Sequence, residues 1–185
     1  MSQAGPLKLD RARSAVLLVD VQTRLAAAMN PDTRARVMNR LRALLQGANA
    51  LGLPVILTEQ YPKGLGPTEP SLRALVPDAK VFEKLVFSAA IPEVREALGG
   101  RDQVLVAGME AHVCVFQTVR DLCAEGRHVF LCADGVLSRN RLDFETGLAL
   151  SRAAGAVVTT VESALFDLLE VAGTPAFKAV SQAVK

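Results

Sequence analysis

The chain has 185 residues, half of them hydrophobic, which is enough for one compact domain with a substantial core. Its 21 Lys and Arg are interleaved with 19 Asp and Glu for a net charge of +2, a balance that argues against a nucleic-acid stripe or a basic membrane face. An apolar leader and a run of membrane-spanning length are both lacking, so the expectation is a soluble, cytoplasmic protein.

Residues 14–21 (SAVLLVDV) form a near-continuous apolar run that suits a strand covered on both faces. Asn30-Pro31-Asp32 offers a helix start, and residues 34–51 carry Val37, Leu41, Leu44, Leu45 and Ala48 at helical spacing, closed by Gly52. Residues 53–58 (LPVILT) predict the next strand, with further strands over 81–87, 103–108, 128–133 and 156–161. Helices are predicted over 92–98, 113–125, 142–154 and 163–171. Strands alternating with helices imply βαβ units and a parallel sheet with right-handed crossovers. Residues 59–70 (EQYPKGLGPTEP) read as a long Pro- and Gly-rich loop where a short connection is usual. The apolar tail over 172–185, with Phe177 and Val180, either covers a partner subunit or packs on its own domain.

Ligands of open parallel sheets bind beyond the carboxyl ends of the strands. Asp20 ends the first strand, Lys84 lies in or just after the third, and Cys114 follows the fourth, where a helix begins. Each alone admits an inert role: a buried small hydrophobe for Cys114, a cap for Asp20, a solvated charge for Lys84. Together they meet the needs of thiol chemistry. A thiol with a free pKa of about 8.5 is mostly protonated at neutral pH, so a cysteine nucleophile needs a base or a stabilising cation. Asp20 can supply the first and Lys84 the second, while the helix N-terminus adds a positive dipole end. Cys123 and Cys132 read as core residues, and the three cysteines lack the C-x-x-C spacing of a zinc or redox pair. Of the two histidines, His128 starts a strand, whereas His112 either competes with Asp20 as base or lines a pocket.

Asp20 and Gln22 in LLVDVQ, Lys84 in FEKLVFSA and Cys114 in GMEAHVCV together resemble the isochorismatase-like cysteine hydrolase superfamily, over about residues 14–170. TEQYPKGLGPT and GMEAHVCV look most like its isochorismatase domain-containing branch. The resemblance implies a single α/β domain over residues 1–185, a Rossmann-like three-layer sandwich. Its six-stranded parallel sheet would have the order 3-2-1-4-5-6, with helices on both faces. It further implies that Asp20 accepts a proton, Lys84 is its electrostatic partner and Cys114 attacks as thiolate, forming an acyl-enzyme that water resolves. A non-proline cis peptide is implied at Met109-Glu110, aiming the backbone N–H groups of Glu110 and Cys114 into an oxyanion hole.

Relatives that cleave the vinyl ether of isochorismate typically lack the cysteine, so Cys114 points to an amide or related C–N bond of a small molecule. Nicotinamidases carry an Asp and His metal site after the second strand, where this chain reads TEQYPKG, so no metal and no cofactor are expected. Gln22, Tyr61 and His112 are the expected substrate contacts, with Glu110 nearby, and the resemblance implies a homo-oligomer. Rival readings are a vinyl-ether or ester hydrolase, a non-catalytic binding scaffold and a thiol redox sensor. A nucleotide-dependent dehydrogenase does not fit, because VDVQTRLAA has no glycine-rich turn.

Overall fold

In the computed structural model, which describes residues 7–185, six strands lie in one sheet: β1 (Ser14–Val19), β2 (Val55–Gln60), β3 (Lys80–Lys84), β4 (Gln103–Met109), β5 (His128–Leu137) and β6 (Val157–Thr159). All neighbours are parallel and the order is 3-2-1-4-5-6. Between them run α1 (Thr23–Ala27), α2 (Pro31–Leu51), α3 (Pro62–Leu65), α4 (Pro70–Arg73) and α5 (Pro92–Leu98). A π-helical turn (Ala111–Val115) leads into α6 (Phe116–Ala124), followed by α7 (Arg141–Ala153), α8 (Val161–Leu169) and α9 (Pro175–Ala183). No described helix is long and apolar enough to cross a membrane.

Every residue of β1 and of β4 is buried, which is why both strands read as unbroken apolar runs rather than alternating ones. Their side chains divide by parity between two cores. Val16 and Leu18 face α2, α8 and α9, while Ala15, Leu17 and Val19 face α5, α6 and α7. The carboxyl ends of β1 and β4 lie side by side, Val19 opposite Gly108. Gly108 has a φ of 129°, and a Cβ there would stand 2.0 Å from the Val19 carbonyl oxygen, so only glycine lets the strands meet just before Asp20.

The start of helix α2 at Pro31 agrees with the expected Asn30-Pro31-Asp32 start, because the Asn30 side chain accepts from the N–H groups of Asp32 and Thr33 at 3.1 Å. Several boundaries differ from the sequence expectation, each for a local reason. Strand β3 stops at Lys84, and the next residues turn their carbonyls toward its own ammonium. Strand β5 continues to Leu137, since its register against β4 shifts between Val106 and Gly108 and pairing then resumes. The expected open loop over 59–70 instead holds the end of β2, helix α3 and the start of α4. Its base is fastened by Glu59, which accepts from both the N–H and the hydroxyl of Thr68 at 2.7 Å. The tail packs on its own fold: α9 lies along α2, Val180 is fully buried, and Phe177 meets Phe166 edge-on with ring centroids 6.1 Å apart.

Candidate active site

Strand β1 delivers Asp20 in an unusual conformation. Its φ is 50°, its N–H donates to Thr58 O at 3.1 Å, and its carbonyl accepts from Gln22 N at 2.8 Å. This tight left-handed turn directs the carboxylate toward β2 and β3. There Lys84 Nζ donates to Asp20 Oδ2 at 2.6 Å, and Thr58 Oγ1 donates to Oδ1 at 2.8 Å. The Lys84 ammonium also donates to Gln60 Oε1 at 2.9 Å and Phe87 O at 2.8 Å, with Val86 O at 3.3 Å. The two charged side chains are 0% and 1% exposed. Such a pair is tolerable only because every strong donor and acceptor has a partner.

Cys114 sits in the π-helical turn, where Glu110 O accepts from both Val113 N (3.0 Å) and Val115 N (3.2 Å). The Met109-Glu110 peptide just before it is cis. Two contacts seat the turn. A Cβ on Gly147 of α7 would stand 2.6 Å from the Ala111 carbonyl and 2.8 Å from His112 N, so helix backbone rests directly on the turn's backbone. Thr118 Oγ1 donates to Cys114 O at 2.6 Å and accepts from Ala89 N at 2.7 Å, tying the turn to the segment that follows Lys84.

Cys114 is nearly closed off, at 6% exposed. Burial pushes its thiol from 9.0 up to about 12; the Asp20 and Glu110 carboxylates add to the rise and Lys84 opposes it. The expected lowering by a cation and a helix end is therefore outweighed. At neutral pH the thiol is protonated, and the Asp20 carboxylate is among the groups that hold the proton on it. Cys132 is fully buried and its thiol is raised further by burial, whereas Cys123 is partly buried.

The other expected residues divide. Gln22 is fully buried and its amide is committed to backbone: Nε2 donates to Gln60 O (3.0 Å) and Gly66 O (2.6 Å), and Oε1 accepts from Gln60 N (2.8 Å). In this arrangement the amide pins the 59–70 segment. Tyr61 remains half exposed, with φ 39° and its ring against Gly64. His112 Nδ1 lies 3.0 Å from Ser138 Oγ, and its Nε2 lies 3.9 Å from an Asp143 oxygen, which ties it to the β5–α7 side. Glu110 accepts from Arg139 N (3.1 Å) and Nε (3.0 Å). Among the described residues no group of three His, Cys, Asp or Glu side chains is placed to hold a metal ion.

Thr58, Gln60 and Thr118 were not singled out from the sequence. The pairing of Val19 with Thr58 sets the end of β2 beside Asp20, so the parallel strand order alone carried a signal for the first two.

The isochorismatase domain family model matches residues 14–163. The zebrafish isochorismatase domain-containing protein 1 is 37% identical over 180 residues, covering 96% of this chain, which spans 62% of that relative's length. The structure of MAR1 ribonuclease from Caenorhabditis elegans superposes with a TM-score of 0.91 at 34% identity, covering 96% of this chain and 92% of that one. The YcaC gene product of Escherichia coli, described as an octameric hydrolase of unknown specificity, superposes with a TM-score of 0.79 at 27% identity, over 91% and 85% of the two chains. The same sheet order, the extent of the family match and the level of identity all agree: this chain belongs to the isochorismatase domain family, with the α/β fold of its hydrolases.

Proposed function

We propose that the chain is a metal-independent cysteine hydrolase that cleaves an amide or related C–N bond of a small molecule through Cys114. The observation that carries the reading is a neutral, buried thiol beside a fully hydrogen-bonded Asp20–Lys84 pair. A thiol raised to about 12 is no nucleophile by itself, so it needs a neighbouring base at the moment of attack.

In this mechanism Asp20 takes the thiol proton as Cys114 Sγ bonds to the substrate carbonyl carbon, and the carbonyl oxygen becomes an oxyanion. The backbone N–H groups of Glu110 and Cys114 stabilise that oxyanion, and Lys84 balances the charge around Asp20. Collapse breaks the C–N bond, the proton on Asp20 passes to the leaving amine, and a thioester remains. Water, deprotonated by Asp20, then attacks the thioester, releasing the acid and returning the proton to sulfur. Tyr61 and His112 flank this chemistry as substrate-facing side chains.

A thiol redox sensor calls for an exposed, acidified cysteine, and Cys114 is neither. The 6% exposure of Cys114 also suits a small substrate better than a polymer, so the ribonuclease name of the Caenorhabditis elegans structure is not carried over. With the octameric Escherichia coli relative as support, the active form is proposed to be a homo-oligomer working in the cytoplasm without a cofactor. The test is a panel of small amides scored by ammonia release, with Cys114→Ala and Cys114→Ser beside the wild type. Turnover that vanishes in both variants while the fold is retained supports the reading. Turnover that survives Cys114→Ala sinks it and favours a vinyl-ether or ester hydrolase on the same scaffold.

A further inference from the structure

A sizeable cavity of the molecule lies away from the thiol. A groove of about 920 Å³ opens between α2 and the segment that leaves β5, outside the Asp20, Lys84 and Cys114 cluster. Its chemistry is one-sided: Arg36, Arg40 and Arg42 from α2 face Arg139 and Arg141 across it, and Asp134 is the one acidic side chain in its wall. Arg40 lies 3.7 Å from that carboxylate, and Arg139 and Arg141 are held by Glu110 and Glu145. Arg36 and Arg42 touch only neutral groups, the Thr33 hydroxyl at 3.5 Å for the first, and Asn39 Oδ1 at 2.9 Å and the Ser71 hydroxyl at 3.4 Å for the second. Two guanidinium groups thus face open space without an anion, and a third meets its carboxylate only at long range.

The charges are interleaved along the sequence, and it is the fold that sorts them. Arg36 and Arg40 are one helical turn apart on α2, while Arg139 and Arg141 arrive from a segment a hundred residues away. The rest of the wall is of another kind. Val37, Leu137 and Phe144 supply apolar surface, and Asn30, Asn39 and Asn140 supply amides. Planar guanidinium forks match phosphoryl oxygens in pairs, and a cavity of this size holds a compact molecule rather than a polymer.

We propose that this groove is a second binding site, for a phosphorylated small molecule with an aromatic or apolar body. The phosphoryl groups lie against Arg36, Arg40 and Arg42, and the body lies toward Phe144. This assignment does not rest on the hydrolase reading, since no atom of the groove takes part in that chemistry.

Calorimetric titration of the full chain tests it, using ADP, adenosine, tripolyphosphate, citrate and a short ribo-oligonucleotide as probes at low and physiological ionic strength. The expected result is that ADP and tripolyphosphate bind and that ADP exceeds adenosine by at least about tenfold, as charge-assisted contacts require. Substituting both Arg36→Ala and Arg42→Ala, two exposed residues whose side chains touch only neutral groups, is expected to weaken ADP at least about tenfold and leave thermal unfolding unchanged. Failure of ADP and tripolyphosphate to bind, or an unchanged affinity in the double variant, overturns the proposal. Citrate binding as tightly as tripolyphosphate overturns the phosphate assignment, and an oligonucleotide binding more tightly than ADP overturns the small-molecule one.

Discussion

Replacing Asp20 by Asn is expected to make Cys114 more reactive toward iodoacetamide, even though it removes the proposed base. Burial and then the Asp20 carboxylate push the thiol from 9.0 to about 12. Near neutral pH the thiolate fraction of such a thiol is lower than that of an ordinary one by about a thousandfold, equivalent to about 4 kcal/mol. A neighbouring charge contributes about 1 to 3 pH units, so losing the Asp20 charge raises the alkylation rate by at least about tenfold. Access to the sulfur is common to both proteins, so the ratio of rates isolates the charge. The substitution keeps the side-chain volume and an acceptor for Thr58, and Lys84 retains Gln60 and Phe87 O. Peptide-resolved mass spectrometry across pH gives the rate at each cysteine, with the fully buried Cys132 as the internal reference. Under the hydrolase reading turnover falls in the same variant, so the two readouts move in opposite directions. A Cys114 rate at or below that of the wild type at every pH refutes the electrostatic account.

Lys84→Met leaves the Asp20 carboxylate buried without its cation, and urea unfolding is expected to report a loss of about 3 to 5 kcal/mol. Thr118→Val deprives the buried Ala89 N–H of its acceptor at an expected cost of about 1 to 3 kcal/mol. Thr118→Ser keeps the hydroxyl and is expected to recover most of that loss, so equal melting temperatures for the two variants would count against the bridge. Stability is also expected to fall on the alkaline side. The folded state holds the Cys114 proton up to about 12 while an unfolded thiol releases it near 9.0, so between those values the folded chain binds more protons and stability drops as pH rises. Urea midpoints that stay flat for the wild type across that window, relative to Cys114→Ala, would contradict this sign.

Much of the fold is legible because the central strands are buried on both faces. Runs such as SAVLLV and QVLVAGM leave little choice of period or environment. The strand order came from the family resemblance and not from any pattern in the residues. Short pieces escaped notice for a physical reason. Helices α1, α3 and α4 span one turn or little more, too few residues for a periodic apolar face to register. Strand β3 ends earlier than its composition predicts: LVF after Lys84 has strand composition, yet those side chains are exposed and the carbonyls of Val86 and Phe87 serve the lysine. At the site, residue types point to Asp20, Lys84 and Cys114 as candidates, but not to the protonation of the thiol, which depends on how deeply the π-helical turn is packed. The backbone partners of Gln22 are not legible in the sequence, because a glutamine at a strand end looks the same whether it faces a ligand or a neighbouring backbone. The arginine groove was hidden by the even mixing of charges along the chain.

The carbonyls that hold Lys84 belong to an exposed ridge, Leu85 to Phe87, and this changes what mutation can do there. Surface connections ordinarily absorb insertions and deletions, because only their side chains matter and water replaces what is lost. Here the backbone is the ligand. Side chains on the ridge are free to vary, whereas adding or removing one residue would slide a carbonyl off the ammonium and leave a buried cation short of acceptors. Evolutionary drift and engineering alike are thus confined to changes of identity at constant length, an unusual restriction for a segment open to solvent.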